Sequence, residues 1–273
     1  MTDIPLIGPV GAPGLHVMSF NIRRRGTRMI PRSFDRWDHR RPLIQRLLRA
    51  EQPVILGVQE AMPDQAGFVR HSLGESYHSV GYGRNANKHG EGCPLFYDRD
   101  RVELLGWVQT ALSGTPSVPG STTWGNPTPR IIVGATFRDR STGIKFRALN
   151  THLDQYSRIS RMRAADEILR LLAQSPLPTI VTGDFNTAED SLPYYALTSA
   201  GLLVDSWVAA KNRVTEEWGT FPDYREPTLE RKRIDWILAT PSVSVLKVAI
   251  NVTRYDGAWP SDHAPVQAVL QLS

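Results

Sequence analysis

Apolar residues in this chain gather into short runs divided by polar or Gly/Pro-rich segments. Strand-like runs occupy 15–22, 54–60, 76–82, 93–98, 102–108, 131–138, 144–150, 178–183, 202–206, 234–239, 243–252 and 265–271. Their Val, Ile and aromatic content suits a pleated surface. Helical spacing is rarer. Residues 36–51 place Leu43, Ile44, Leu47 and Leu48 on one face, and 156–174 space Ile159, Met162, Ala165, Ile168, Leu169 and Leu172 by three and four. A third helix is predicted over 192–201, ending at a Gly that suits a C-cap.

Many strands with helices between only some of them predict an α/β protein, two packed mixed β-sheets flanked by helices, and not a doubly wound sheet. There is neither a GxGxxG fingerprint nor a P-loop, which argues against a dinucleotide or nucleoside-triphosphate site. The long irregular stretches 83–92, 111–130 and 209–232 each precede a polar-tipped strand, so they are expected to rim one site and not to separate domains. Residues 1–14 form an N-terminal extension and 15–273 a single catalytic domain.

The polar tips are the informative feature. Met18–Asn21, Ile55–Glu60, Ala148–His152, Pro178–Asp184 and Arg233–Trp236 each join an apolar run to Asn, Glu, His or Asp. Asp184 and Asn186 lie two positions apart, and strand side chains repeat with period 2, so both are expected to project the same way. Ser261-Asp262-His263-Ala264-Pro265 leads into the last strand. Singly these are loop residues, caps or Asx-turns. Together, polar groups at several strand ends assemble a site.

Composition adds limits. With 41% hydrophobic and 22% charged residues the chain is an ordinary globular protein, and no apolar run is long enough to span a membrane. The first fifteen residues lack a basic segment before a hydrophobic stretch, so no signal peptide is read there. Cys93 is the only cysteine; it excludes an intrachain disulfide and fits a reducing, cytoplasmic setting, as a small core residue. The net charge of +5 suits a polyanionic partner, yet only five lysines stand among 32 basic residues, and an Arg-rich chain can simply reflect genome composition.

The ordered series Phe20-Asn21, Gln59-Glu60, Asn150-Thr151-His152-Leu153, Gly183-Asp184-Phe185-Asn186, Ile234-Asp235 and Ser261-Asp262-His263-Ala264-Pro265 resembles the endonuclease/exonuclease/phosphatase superfamily over residues 15–271. The resemblance implies a four-layer α/β/β/α sandwich with a Mg²⁺ or Mn²⁺ site at one edge. Phosphoester chemistry asks for the same residue types. Glu60 supplies a hard oxygen ligand to the metal, Asn21 a neutral oxygen beside it and Asp262 a second contact. Asp184 orients and deprotonates the attacking water, and Asn186 fixes that water or a phosphate oxygen. His263 donates to a non-bridging oxygen, held by Asp235. In the family a His at the position of His152 contacts the phosphate or protonates the leaving group. Gly90–Tyr97 is similar to the stretch that carries its Glu partner, which makes Glu91 the expected partner of His152.

Arg130 opens a strand and either clamps a phosphate or guards a sheet edge. Arg23, Arg24, Arg25, Arg28 and Arg32 form a solvated loop or a phosphate-backbone surface. Trp218, Phe221 and Tyr224, interleaved with Arg225, Arg231, Lys232 and Arg233, either stack bases or anchor a loop. The expectation is a Mg²⁺/Mn²⁺-dependent phosphoric-ester hydrolase, a monomeric enzyme, first a nuclease or phosphodiesterase acting on nucleic acid. The alternatives are a phosphatase of a phosphorylated metabolite, phosphoinositide or lipid headgroup, and a non-catalytic binding module on the same fold. Abasic-site repair is disfavoured, because no DNA-penetrating insertion is recognisable.

Overall fold

The computed structural model describes residues 3–26 and 33–273, so Arg28 and Arg32 lie outside the described residues. In chain order the elements are β1 (Leu15–Asn21), α1 (Trp37–Glu51), β2 (Ile55–Gln59), α2 (Pro63–Leu73), β3 (Tyr77–Val80), β4 (Leu95–Asp98), β5 (Val102–Ala111), β6 (Ile131–Asp139) and β7 (Lys145–His152). There follow α3 (Arg158–Ala173), β8 (Thr179–Asp184), α4 (Leu192–Ser199), β9 (Val204–Asp205), α5 (Ser206–Ala209), β10 (Asn212–Arg213), β11 (Asp235–Ala239), β12 (Val243–Ile250) and β13 (Val266–Leu272).

The strands form two mixed sheets, β10-β12-β13-β1-β2-β4-β3 and β5-β6-β7-β8-β11-β9. Every residue of β1, β2, β8 and β11 is buried. Such strands are covered on both faces, which is why they read as near-continuous apolar runs. Strand alternation sorts their side chains into three cores. Leu15 and Val17 of β1, Phe146 and Ala148 of β7, Ile180 of β8 and Ile237 of β11 meet between the sheets. Met18 and Phe20 face Ile44 and Leu47 of α1 and Val69 of α2. Val181, Trp236 and Leu238 face Ile168 of α3 and Leu197 of α4. Three cores between four layers make the expected α/β/β/α sandwich.

Toward one edge the inter-sheet core turns polar. The same alternation that sends Leu15 and Val17 inward sends Ser19 and Asn21 inward, and Gln59, Asn150 and Thr182 join them. Gln59 Nε2 donates to Asn150 Oδ1 at 2.7 Å, Thr182 Oγ1 donates to the same oxygen at 3.1 Å, and Asn150 Nδ2 reaches the carbonyls of Val58, Cys93 and Pro94. Gly57 lets the sheets approach here: a Cβ would stand 2.7 Å from Asn150 Oδ1 and closer still to Thr182 Oγ1.

α2 is a helix that the apolar pattern does not announce, because its exposed face carries Asp64, Gly67, Arg70 and His71 and only Phe68, Val69 and Leu73 are large and apolar. The predicted strand 202–206 shrinks to β9, and its last residue starts α5, capped by Asp205 Oδ1 accepting from Trp207 N–H at 2.9 Å. α4 ends as expected before Gly201, whose φ of +70° is the left-handed region glycine adopts most easily. No helix among the described residues is long and apolar enough to cross a membrane.

Candidate active site

Parallel pairing aligns carboxyl ends. Asn21 of β1 pairs with Gln59 of β2, and His152 of β7 with Asp184 of β8. Asp235 also pairs with Asp184, but antiparallel. It therefore opens β11 instead of ending a strand, and the reversed strand presents its amino end at the same edge. The loop before β13 delivers Asp262 and His263 there, fixed by Ser261 Oγ donating to Asn21 O at 2.7 Å.

Side chains from both sheets meet across this edge. Asn21 Nδ2 donates to Asp184 Oδ2 at 3.0 Å and to Glu60 Oε1 at 3.2 Å, and lies 3.4 Å from His263 Nε2. His263 Nδ1 is 2.8 Å from Asp235 Oδ2, and its Nε2 is 3.7 Å from Asp184 Oδ2. Burial opposes a charge on His263, but Asp235, Asp184 and Asp262 outweigh it and push its pKa up to about 10. The imidazolium then donates from Nδ1 to Asp235. Burial, together with the charge of Asp235, pushes Asp184 up to about 7, against the pull of His263, Asn21 and the Asn186 N–H.

Two site residues hold left-handed backbone, φ 62° at Glu60 and φ 51° at Asn186. Such strain in non-glycine residues persists only where the surroundings over-determine it, and it clusters at functional sites. At Asn186 it corrects the simple alternation argument. Phe185 points away to stack on Trp236, with ring centroids 4.4 Å apart, while Asn186 turns back in an Asx-type turn, its N–H donating to Asp184 Oδ1 at 2.9 Å. Asn186 Nδ2 donates to Leu153 O at 3.0 Å and to His152 Nε2 at 2.8 Å. This network assigns the acceptor role to Nε2 and the proton to Nδ1. Burial, with Arg130 and Arg84 nearby, keeps His152 well below the ordinary histidine pKa, so it is neutral.

Two expectations are corrected. Glu91 does not pair with His152: its Oε1 takes Arg84 Nη2 at 2.9 Å and Arg24 Nη1 at 3.1 Å, since two guanidinium charges outcompete a neutral imidazole. Asn21 turns its amide nitrogen, not its oxygen, toward the carboxylates, while its Oδ1 accepts from Arg23 N–H at 3.0 Å. Of the two readings of the 218–233 aromatics, loop anchoring describes Trp218, which packs on the core, and Tyr224, whose Oη donates to Asp35 at 2.9 Å, while Phe221 is partly exposed 4.7 Å from the His263 ring. Arg233 is buried against Asp205 and Glu217.

Arg130 is buried at the site. Its Nε donates to Asp154 Oδ2 at 3.2 Å, and its Nη1 has no hydrogen-bond partner. It lines a small cleft with Glu60, Arg84, Glu91 and His152. Arg84, Asp154 and Arg40 were not anticipated. Arg84 lay in a stretch recognised only as a rim loop. Arg40 sits at a helical position that looks solvated, yet it is fully buried and donates to the carbonyls of Ile22, Arg23 and Asp35.

Two groupings are candidates for a metal. Ligand atoms of Asp184, Asp235 and His263 lie within 4.8 Å of one another. A cation on this trio would have to displace the proton that His263 Nδ1 shares with Asp235 at 2.8 Å. Glu60 and Asp262 fit better. Asp262 is pushed above its ordinary pKa by burial and then by Glu60, against the pull of His263, Arg23 and Arg40, whereas at Glu60 burial is outweighed by the Arg24 N–H, His263 and Arg23, which hold it ionised. Hard oxygen donors of this kind suit Mg²⁺ or Mn²⁺.

A charge-paired histidine beside a carboxylate of raised pKa, at the polar edge of a two-sheet sandwich, is the equipment of a hydrolase of phosphoester bonds. The sequence profile of the endonuclease/exonuclease/phosphatase family matches residues 18–263, and the chain belongs to that family. A family member from Bacteroides vulgatus is 31% identical, with a TM-score of 0.88 over 95% of this chain and 99% of that one. A mannosyl-6-phosphatase from Bacteroides thetaiotaomicron is 29% identical, with a TM-score of 0.87 over 94% and 99%. Nocturnin of Drosophila melanogaster is 27% identical over 175 residues, a match spanning 59% of this chain and a quarter (25%) of that protein.

Proposed function

We propose that the protein is a metal-assisted phosphatase that removes a terminal phosphate from a small phosphorylated molecule such as a sugar phosphate. The observation that carries this reading is the cleft between Glu60 and His152, walled by Arg84 and Arg130 with one carboxylate partner each. Two guanidinium groups converging on one narrow cleft suit the doubly charged group of a monoester. The mannosyl-6-phosphatase neighbour supports the same reading.

A nuclease or phosphodiesterase is the second reading, favoured by the net charge of +5. Near the site, however, that charge is internally paired: Arg23 with Asp35 and Asp262, Arg24 with Glu91, Arg25 with Asp64. These arginines are not a free phosphate-backbone surface, and of the neighbouring aromatics Trp218 and Tyr224 are committed to the loop.

Glu60 and Asp262 would hold Mg²⁺ or Mn²⁺, which when bound neutralises phosphate charge as a Lewis acid. The chain does the rest. Asp184 takes the proton of the attacking water as the new P–O bond forms and the ester P–O bond breaks. Imidazolium His263, oriented by Asp235, donates from Nε2 to a non-bridging oxygen. Asn186 fixes the water and keeps Nδ1 of neutral His152 protonated and available to the phosphate side. Arg84 and Arg130 hold the remaining oxygens.

The test is a substrate panel with Mg²⁺ or Mn²⁺. p-Nitrophenyl phosphate and hexose 6-phosphates should be hydrolysed, and bis(p-nitrophenyl) phosphate and single- or double-stranded nucleic acid spared. Cleavage of the diesters with the monoesters untouched would overturn the proposal. Activity that survives EDTA, or survives in Glu60→Ala, would remove the metal.

A further inference from the structure

A larger cavity, of about 340 Å³, lies behind the wall of the cleft. Pro63, Ala66, Gly67 and Arg70 of α2 form one side at helical spacing, and Tyr82, Lys88, His89 and Gly92 belong to the other. Ala66 and Gly67 are small, so the helix face is a trough and not a packed interface; a Cβ on Gly67 would meet nothing within 4 Å. The floor is apolar, with Ala61, Tyr82 and Pro94. Its charged side chains are all basic. Arg70, Lys88 and His89 contribute no carboxylate, and none of the three has an ion-pair partner among the described residues; Lys88 rests its ammonium 5.0 Å over the Tyr82 ring.

The trough and the cleft share one hairpin. Gly83 N–H donates to Lys88 O at 3.0 Å and Arg84 N–H to Glu91 O at 2.9 Å, while Ala61 and Gly92 exchange backbone bonds of 3.2 and 2.8 Å. Gly92 lines both spaces. The hairpin thus carries Arg84 and Glu91 to the cleft and Lys88 and His89 to the trough.

From these features we infer that the trough between α2 and the 82–92 hairpin is a second anion site, which takes a phosphate through Arg70, Lys88 and His89. Rim cations without carboxylate partners supply the attraction, and the apolar floor accepts the body of a small organic molecule. Two sources share that chemistry: a second phosphate on the substrate itself, or a free oxyanion held beside the site. The inference rests on the phosphatase reading for the first source and is independent of it for the second.

The experiment has two arms, both on the full chain, with Arg70→Ala/Lys88→Ala and with Gly67→Leu, which fills the trough and favours the helix. In the first arm, steady-state rates are compared for a hexose 6-phosphate and a hexose 1,6-bisphosphate. A second phosphate from the substrate predicts a KM for the bisphosphate that rises about tenfold in each variant, with kcat and the monophosphate KM unchanged. In the second arm, calorimetry follows inorganic sulfate binding. A free oxyanion predicts two bound sulfates in the wild type and one in both variants, the cleft of Arg84 and Arg130 keeping its own, with bisphosphate KM unaltered. If the wild type and both variants show equal bisphosphate KM and equal sulfate binding, the trough is not an anion site. If neither sugar phosphate is hydrolysed, the phosphatase reading falls while the sulfate arm still decides the trough.

Discussion

Asp235 hydrogen-bonds His263 and lies beside Asp184 in the sheet, and from there it sets the state of the whole edge. Its Oδ2 is 2.8 Å from His263 Nδ1, and its charge helps to raise both His263 and Asp184. Asp235→Asn keeps the shape, and its amide can turn either its oxygen or its NH₂ to the ring. It removes the charge that holds the proton on His263. The expected result is a fall in kcat of about 10²-fold or more, the scale of a lost positioned proton donor, with KM changed little. NMR of the imidazole should show His263 titrating at lower pH than in the wild type. Unchanged kcat, or an unmoved His263 titration, would contradict the role given to the pair. Glu60→Ala acts differently. It removes a hard oxygen donor, and Mg²⁺ affinity followed by calorimetry should weaken about 10-fold or more while His263 keeps its high pKa.

At the scale of elements, the site depends on how helices and strands hold the loops that carry it. Arg40 of α1 reaches across to the carbonyls of Ile22 at 2.6 Å and Arg23 at 2.9 Å, so the helix fixes the loop just after Asn21. Arg40→Lys keeps the charge but cannot reproduce a planar fork, and leaves buried carbonyls unpaired. A loss of about 2–4 kcal/mol in urea unfolding is expected, with reduced activity in the fraction that stays folded. Gly57→Ala should also destabilise, by about 1–3 kcal/mol, because its Cβ enters the polar layer at Asn150 and Thr182. The same elements set what the chain alone disclosed. β1, β2 and β8 were legible because continuous burial makes continuous apolar runs, and the residues at the tips of β1, β2, β7 and β8 were legible because parallel strands end together. α2 was not, because a helix half exposed beside a trough needs few large apolar residues. Glu91 was found but misassigned, since a sequence does not say that Arg24 and Arg84 converge on it from two loops. Arg40 was invisible, because a buried arginine and a solvated one look alike until the carbonyls it serves are in place.

Across the whole molecule, the edge opposite the site is closed by the N-terminal residues, and one buried carboxylate does most of the closing. Glu51, at the end of α1, accepts from Leu6 N–H at 2.7 Å, Ile7 N–H at 3.1 Å, Gly8 N–H at 2.9 Å and Asn251 Nδ2 at 3.1 Å. Beside it His16 is fully buried, with Nε2 3.1 Å from Gln267 Oε1. Burial lowers the pKa of His16, and the opposing pull of Glu51, Gln267 and the backbone does not restore it. The unfolded chain carries an ordinary histidine, with a pKa of about 6.5. Above that value neither state binds the proton, and His16 contributes nothing to the pH dependence. Below it the unfolded state is protonated first, so stability falls as pH drops from about 6.5 toward the folded pKa. Thermal unfolding between pH 7.5 and 5 should therefore show a steeper loss of Tm in the wild type than in His16→Gln, which places an uncharged amide beside Gln267. Equal slopes would mean that the N-terminal closure opens before His16 takes its proton. Glu51→Ala separates the two cases. It strands three backbone N–H groups, so residues 3–10 should lose hydrogen-exchange protection at every pH, whereas the active-site edge, a full strand length away, should keep its own.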